Sequence, residues 1–306
     1  MRKYIALAAL ILTIGCTKEN FAPTEPTDPN IIRIETSLGT RASMTNFETG
    51  DCLSLYAVEY NGDQVSKVQS FGNYINNEPM TFDGEQWLAV KPLYWSASKC
   101  DFYGFYPYQP TGPMSGVRFE IATDQSTTSS VNGLGGYEAS DLMWAKAEGV
   151  EPPQVITLDN GEQQVTYAPV HLQFQHLMSR IVVNILRGKD FEGELSKNIS
   201  VHIYDTATSA IVDWTIGSLK VDPQGGRKTI TMRQLDSDTF DAIVVPQFIQ
   251  RSTPLIEVSM DGIAYLFDTS ISLRPGKMHT INVTLNTSPD QEKVEIELEG
   301  GVGGWN

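Results

Sequence analysis

Apolar and polar residues alternate at a period of two along most of the chain, and no window of useful length keeps a 3.6-residue apolar period. That pattern predicts an all-β protein with little helix, because successive strand side chains point to opposite faces. Ile31 to Leu38 opens the series, with Ile32, Ile34, Thr36 and Leu38 alternating with Arg33, Glu35 and Ser37. A turn-like Gly39-Thr40-Arg41-Ala42-Ser43 follows. Leu53, Leu55 and Ala57 then alternate into Tyr60, and Asn61-Gly62-Asp63 is a hairpin signal. Further short strands are expected at Phe71 to Tyr74, Met80 to Phe82 and Gln86 to Val90. The clearest strand pair in the second half is expected over Val170 to Leu186. There Val170, Leu172, Phe174 and His176 share one phase, and after a kink at Leu177-Met178-Ser179 the residues Ile181, Val183 and Ile185 take the other. From Ile199 to Leu285 short strands recur at roughly ten-residue spacing with turns between them, as in a β-sandwich.

One stretch stands apart. Leu93 to Tyr108 holds seven of the chain's 29 Phe, Tyr and Trp residues in sixteen positions. Aromatics on an extended backbone suit a pleated, buried surface, so this is expected to be the central strand of a first domain. Gly104 within it signals a bulge or a close approach, and Pro107, lacking an amide donor, ends the ladder. A ligand platform is the competing reading, but so many rings exceed what one binding face offers.

The chain's 306 residues suffice for two domains of ordinary size, and the pattern divides most naturally near Tyr167 to Pro169. The expected arrangement is a domain over residues 31–168 and a second over 169–306. Lys and Arg number 22 against 37 Asp and Glu, a net charge of −15. Nucleic acid and anionic lipid surfaces both call for a basic face, so neither is expected as a partner.

The N-terminus bears on compartment. Arg2 and Lys3 precede an apolar run from Tyr4 to Ile14, too short to span a bilayer and matching the core of a secretory signal. Thr13-Ile14-Gly15-Cys16 resembles a bacterial lipobox, in which the Cys is acylated and becomes the new N-terminus. Residues 1–15 would be removed and residues 16–30, with Pro23, Pro26 and Pro29, would form an extended tether. The mature protein would be anchored to the membrane rather than span it. Cys52 and Cys100 would remain, either paired in an oxidising compartment or as two separate buried thiols.

Catalytic and cofactor signatures are not found. His171, His176, His202 and His279 each fall inside an expected strand, and none has metal-ligand spacing with a Cys or carboxylate. A core role hydrogen-bonded within the sandwich is expected for His176. There is no phosphate loop, dinucleotide fingerprint or nucleophile elbow, so no cofactor is expected and the chain is not read as an enzyme. Near the C-terminus, Glu292 to Glu299 alternates strictly, placing Val294, Ile296 and Leu298 on one face and charge on the other. It is either the last strand of its own domain or a strand offered to another molecule's open sheet edge.

The ordered set of motifs resembles the fimbrillin-like lipoproteins of Bacteroidetes, the subunits of type V pili. The matching residues are Cys16, Thr40-Arg41-Ala42, Phe47 with Gly50-Asp51, Tyr94-Trp95 leading to Asp101 through Tyr108, and Ser140 through Ala145. They continue through Phe174-Gln175-His176-Leu177-Met178-Ser179-Arg180-Ile181, Val244-Val245-Pro246-Gln247 and Gly276 through Val283. The resemblance implies two tandem transthyretin-like β-sandwich domains on a surface-exposed, outer-membrane lipoprotein. It implies acylation at Cys16 and cleavage by an Arg-specific protease at the Arg41-Ala42 bond. Ile32, Ile34 and Leu38 would leave with the first strand, and Val294, Ile296 and Leu298 of a neighbouring subunit would fill the groove. Other fimbrial subunits would be its partners, with a host or bacterial surface ligand also open. Anchor subunits of this family keep their lipid and are not cut, so the resemblance leaves stalk, tip and anchor open. A non-polymerising glycan-binding lipoprotein is the alternative, with Trp87, Trp144 or Trp214 on an exposed platform.

Overall fold

The computed structural model describes residues 28–39, 47–130, 133–166, 169–189, 191, 193–250, 254–285 and 302–305. The protein is all-β, with a single short helix, Gly136–Ser140, among the described residues. The first sheet runs in the order Ile34–Leu38, Val170–His176, Met143–Val150, Cys100–Tyr106, Cys52–Asn61, Ile75–Phe82 and Trp87–Ala89. The aromatic strand is thus central, as expected, and all seven of its residues are buried.

Burial of every residue in one strand requires a core on both faces of the sheet, and the side chains divide accordingly. Cys100, Phe102 and Tyr106 join Leu53, Leu55, Met80, Leu172 and Phe174 on the inner face. Tyr103 and Phe105 join Tyr56, Val58 and Met114 on the other, and that core continues into the second half of the chain. Asp101, on the same strand, is nearly inaccessible, yet its carboxylate accepts from Tyr60 Oη at 2.9 Å and Gly149 N–H at 2.8 Å. Its other oxygen meets Lys146 Nζ at 3.0 Å. A buried carboxylate with donors on both oxygens is tolerated where a bare one is not.

The second sandwich sets two sheets face to face. One has the order Arg233–Gln234, Thr239–Val244, Ser179–Arg187, Lys277–Leu285, Val302–Gly304; the other Arg227–Thr231, Ile199–Ala207, Pro254–Met260, Ile263–Asp268. Ile181, Val183 and Ile185 pack with Val201, Ile203 and Val258 in its core.

Several expectations require correction. Val170–His176 and Ser179–Arg187 show the expected two phases but do not pair. The former inserts into the first sheet beside Met143–Val150, and the latter lies between Thr239–Val244 and Lys277–Leu285. The expected boundary at 168/169 therefore falls just ahead of a strand of the first sheet, and sheet membership changes at Leu177–Met178. Ser115–Glu120, not anticipated, pairs with Ser209–Asp213 across the two halves. Phe71 to Tyr74 is a bend followed by the start of Ile75–Phe82, not a strand of its own.

Cys52 and Cys100 are not joined. Cys100 lies opposite Glu59, seven positions along the strand from Cys52, or about 23 Å at strand rise. A disulfide needs α-carbons within about 7 Å.

Candidate functional site

The first strand closes the first sheet as a seam. Ile34–Leu38 pairs in parallel with Val170–His176, from Ile34 opposite Val170 to Leu38 opposite Phe174. It is an edge strand, and on its other side it meets the far end of the same sheet. Ile32 N–H donates to Leu93 O at 2.7 Å, Trp95 N–H donates to Asn30 O at 2.8 Å, and Trp87 Nε1–H donates to Thr36 Oγ1 at 3.0 Å. Since Trp87–Ala89 is the opposite edge strand, one short segment bridges the sheet's two edges.

The chemistry of the strand fits that position. Ile32, Ile34 and Leu38 are each only 5% exposed and pack into the inner core, while Glu35 faces solvent. Ser37 Oγ lies 2.9 Å from His171 Nε2, and Gln173 hydrogen-bonds to the Gly39 carbonyl. Burying three aliphatic side chains contributes about 1.5–3 kcal/mol each. Loss of the strand with nothing in its place would thus remove an amount comparable to the roughly 5–15 kcal/mol net stability of a whole domain.

Beneath the seam, Phe47 makes edge-to-face contacts with Trp87, Tyr106 and Phe174 at centroid distances of 5.0, 5.3 and 5.5 Å. Gly104 is the other device. A Cβ there would lie 2.6 Å from Phe174 Cζ and 3.1 Å from Leu172 Cδ1, so the missing side chain makes room for the ring opposite Leu38. Gly104 therefore marks a close approach. The bulge in this strand lies between Cys100 and Phe102. Asp51 Oδ1 accepts from Tyr106 Oη at 2.9 Å, and burial raises the Asp51 pKa from its ordinary value.

The remaining motif residues meet at the junction of the two halves. His176 Nδ1 lies 2.7 Å from Asp141 Oδ1, and its ring stacks on Trp305 at 3.8 Å with 7° between planes. This is the buried, hydrogen-bonded histidine the sequence suggested, with an aromatic lid that it did not. Val302–Gly304 adds to the edge of Lys277–Leu285, bringing Trp305 to this point. The tryptophans proposed as a glycan platform are not on one. Trp87 and Trp214 are buried, Phe105 stacks on Trp214 at 4.6 Å, and Trp144 Nε1 donates to the Trp214 carbonyl at 2.8 Å. Large indoles here fill cores, as their area favours.

Of the residues expected to act, Ile32, Ile34 and Leu38 occupy the seam. Cys16, Arg41, Ala42, Val294, Ile296 and Leu298 lie outside the described residues. Phe47 was visible in the sequence only as a motif member, and Gly104 as a bulge or close approach with no partner named. Their roles depend on Phe174, more than a hundred residues from Phe47, and no local signal carries that pairing.

The chain is thus an all-β protein whose N-terminal strand closes the first sheet as an edge strand. The fimbrillin-like family profile matches residues 40–305. The chain belongs to the fimbrillin-like family. It is 29% identical over 176 residues to a Bacteroides ovatus protein assigned as the fimbrium tip subunit Fim1C. That match covers 52% of this chain and 28% of the relative, so the chain spans well under half the relative's length. Two solved structures described as cell adhesion proteins share the fold. One, from Bacteroides ovatus, has a TM-score of 0.65 at 16% identity, covering 90% of this chain and 98% of the other. One from Bacteroides uniformis has a TM-score of 0.63 at 22% identity, covering 91% of this chain and all of the other.

Proposed function

We propose that the protein is a structural subunit of a cell-surface fimbrium, exported as a lipoprotein, that joins its neighbours by exchange of the first strand. Membership of a family of fimbrial proteins supports the subunit role. The observation that carries the exchange is the seam. A short parallel edge strand buries three aliphatic side chains and is followed at once by Thr40-Arg41-Ala42. Cleavage after Arg41 would sever this strand from the body while leaving Phe47 in place. The groove it vacates would expose Leu172, Phe174 and Trp87, apolar surface that water penalises and an incoming strand would cover.

Val294, Ile296 and Leu298 are spaced two apart like Ile32 and Ile34, and the acidic residues between them would face water. A neighbouring subunit is therefore the partner we assign, with Cys16 tethering the precursor to the outer membrane. The second reading, an anchor subunit, rests on the same Cys16. Mass spectrometry of surface-assembled protein separates them. An N-terminus at Ala42 supports strand exchange, and acylated Cys16 as the sole N-terminus would overturn it in favour of the anchor.

A further inference from the structure

A hollow of about 430 Å³ lies between the end of Cys52–Asn61 and the loop at residues 66–74. Its volume falls within the roughly 300–1,000 Å³ of small-molecule sites, but its lining is mostly polar rather than apolar. Tyr60 and Tyr74 supply rings, and Glu59, Asn61, Lys67 and Gln69 supply polar side chains.

Two features set this hollow apart from a gap between loops. The first is rigidity. Asn73 Oδ1 accepts from Gln69 N–H at 3.0 Å, Asn73 Nδ2 donates to Gln69 O at 2.7 Å, and Asn76 Oδ1 accepts from Asn73 N–H at 2.9 Å. Val68 is buried beneath the loop, Ser70 Oγ donates to Gly112 O at 2.7 Å, and Tyr74 Oη donates to Tyr94 O at 2.6 Å. Tyr60 is held by Asp101 through its hydroxyl, with Lys99 Nζ 4.6 Å from the ring centroid. The second is that the side chains of Glu59, Asn61, Lys67 and Gln69 make no hydrogen bond among the described residues. The loop and the two rings are already fixed and so lose little entropy on binding, while the free side chains supply donors and acceptors that have no partner to give up.

We infer that this hollow binds a neutral saccharide. Sugars present both an array of hydroxyls and apolar C–H faces, matching polar side chains interleaved with tyrosine rings. Glu59 and Lys67 offset each other in the lining, and the chain's charge of −15 repels acidic glycans at a distance. Phe71, 70% exposed on the same loop, offers a further apolar contact beside the hollow for a longer oligosaccharide. The inference goes beyond the assembly role and does not depend on strand exchange.

The test uses the intact chain and saturation-transfer NMR with three neutral probes, lactose, N-acetyllactosamine and mannobiose, and with a heparin disaccharide as the acidic comparison. Transfer to ring C–H protons of at least one neutral probe is expected. Tyr74→Ala should weaken binding about tenfold, the equivalent of one aromatic contact. Because that change also removes the hydrogen bond to Tyr94, Lys67→Ala is the second variant; it lies on the exposed rim and should also weaken binding. Tyr74→Phe, which keeps the ring but loses its tie to Tyr94, should weaken binding less than Tyr74→Ala, and Phe248→Ala, in the second half of the chain, should leave it unchanged. No transfer to any neutral probe from folded protein, preference for the heparin disaccharide, or full binding by Lys67→Ala would each overturn the assignment.

Discussion

Gly104→Ala is the sharpest probe of how the seam is built. The glycine lies in an ordinary strand conformation, so alanine brings no backbone strain, and its small loss of chain entropy would by itself stabilise. The added methyl, however, would lie 2.6 Å from Phe174 Cζ and 3.1 Å from Leu172 Cδ1, against the 3.5–4.0 Å of relaxed carbon contacts. The ring must retreat by about 1 Å, yet Phe174 is fully buried with Phe47 at 5.5 Å and Leu38 opposite. Overpacking of this kind costs about 1–3 kcal/mol. At about 2–4 °C per kcal/mol for domains of this size, the melting temperature should fall by about 2–12 °C. Phe174→Leu alone leaves a partial cavity and should also destabilise. Combined with Gly104→Ala it should cost less than the sum of the two by at least about 0.5 kcal/mol, because each change relieves the other. Chemical denaturation of the four proteins reads the coupling directly. A Gly104→Ala protein as stable as the parent, or strict additivity, would refute the close approach as the reason for the glycine.

Two further outcomes follow from the core and from its titrating groups. Phe102→Ala and Phe105→Ala each remove a ring that is at most 2% exposed and should each lower stability by about 3–5 kcal/mol in denaturant titrations; less than about 1 kcal/mol at both would place the stretch at the surface. Burial, with a smaller contribution from Arg274, lowers the His279 pKa from the ordinary 6.5, and its Nε2 accepts from Arg274 N–H at 3.2 Å. A histidine whose folded pKa is depressed contributes stability that is present above 6.5 and is lost as pH falls through the folded value. Unfolding followed from pH 7 downward should therefore show a decline beginning near 6.5 that is shallower in His279→Gln. An unchanged slope in the variant would assign the decline to other groups.

The seam and the aromatic strand were legible in the sequence because burial leaves a local trace. Ile32, Ile34 and Leu38 alternate, and a strand covered on both faces can carry Phe102, Tyr103, Phe105 and Tyr106 together. Partnership was not legible. Val170–His176 and Ser179–Arg187 are adjacent, alternate cleanly and look like a hairpin, yet they enter different sheets because their partners are set by residues far along the chain. Ser115–Glu120 and the Gln154–Thr157 hairpin strand are mostly exposed, so they had little apolar alternation to show. Trp87 and Trp214 looked available for ligand when read alone. Trp87 instead reaches across the seam to Thr36, and Trp214 stacks under Phe105. The rim of the saccharide hollow has no motif at all, since Asn73 and Asn76 act through the backbone of their own loop.

Assembly by strand exchange requires that the first strand be replaceable. Purified subunit can be cut with an Arg-specific protease and incubated with a labelled synthetic peptide spanning Gln291 to Gly300, with Arg41→Ala protein as the uncut control. Strand exchange predicts release of the fragment containing Ile32, Ile34 and Leu38, and tight retention of the peptide by the cut protein alone. Retention should be lost when Val294, Ile296 and Leu298 in the peptide are replaced by Ser. If the cut protein keeps its first strand and excludes the peptide, or if the Ser-substituted peptide binds equally well, strand exchange at this seam is contradicted.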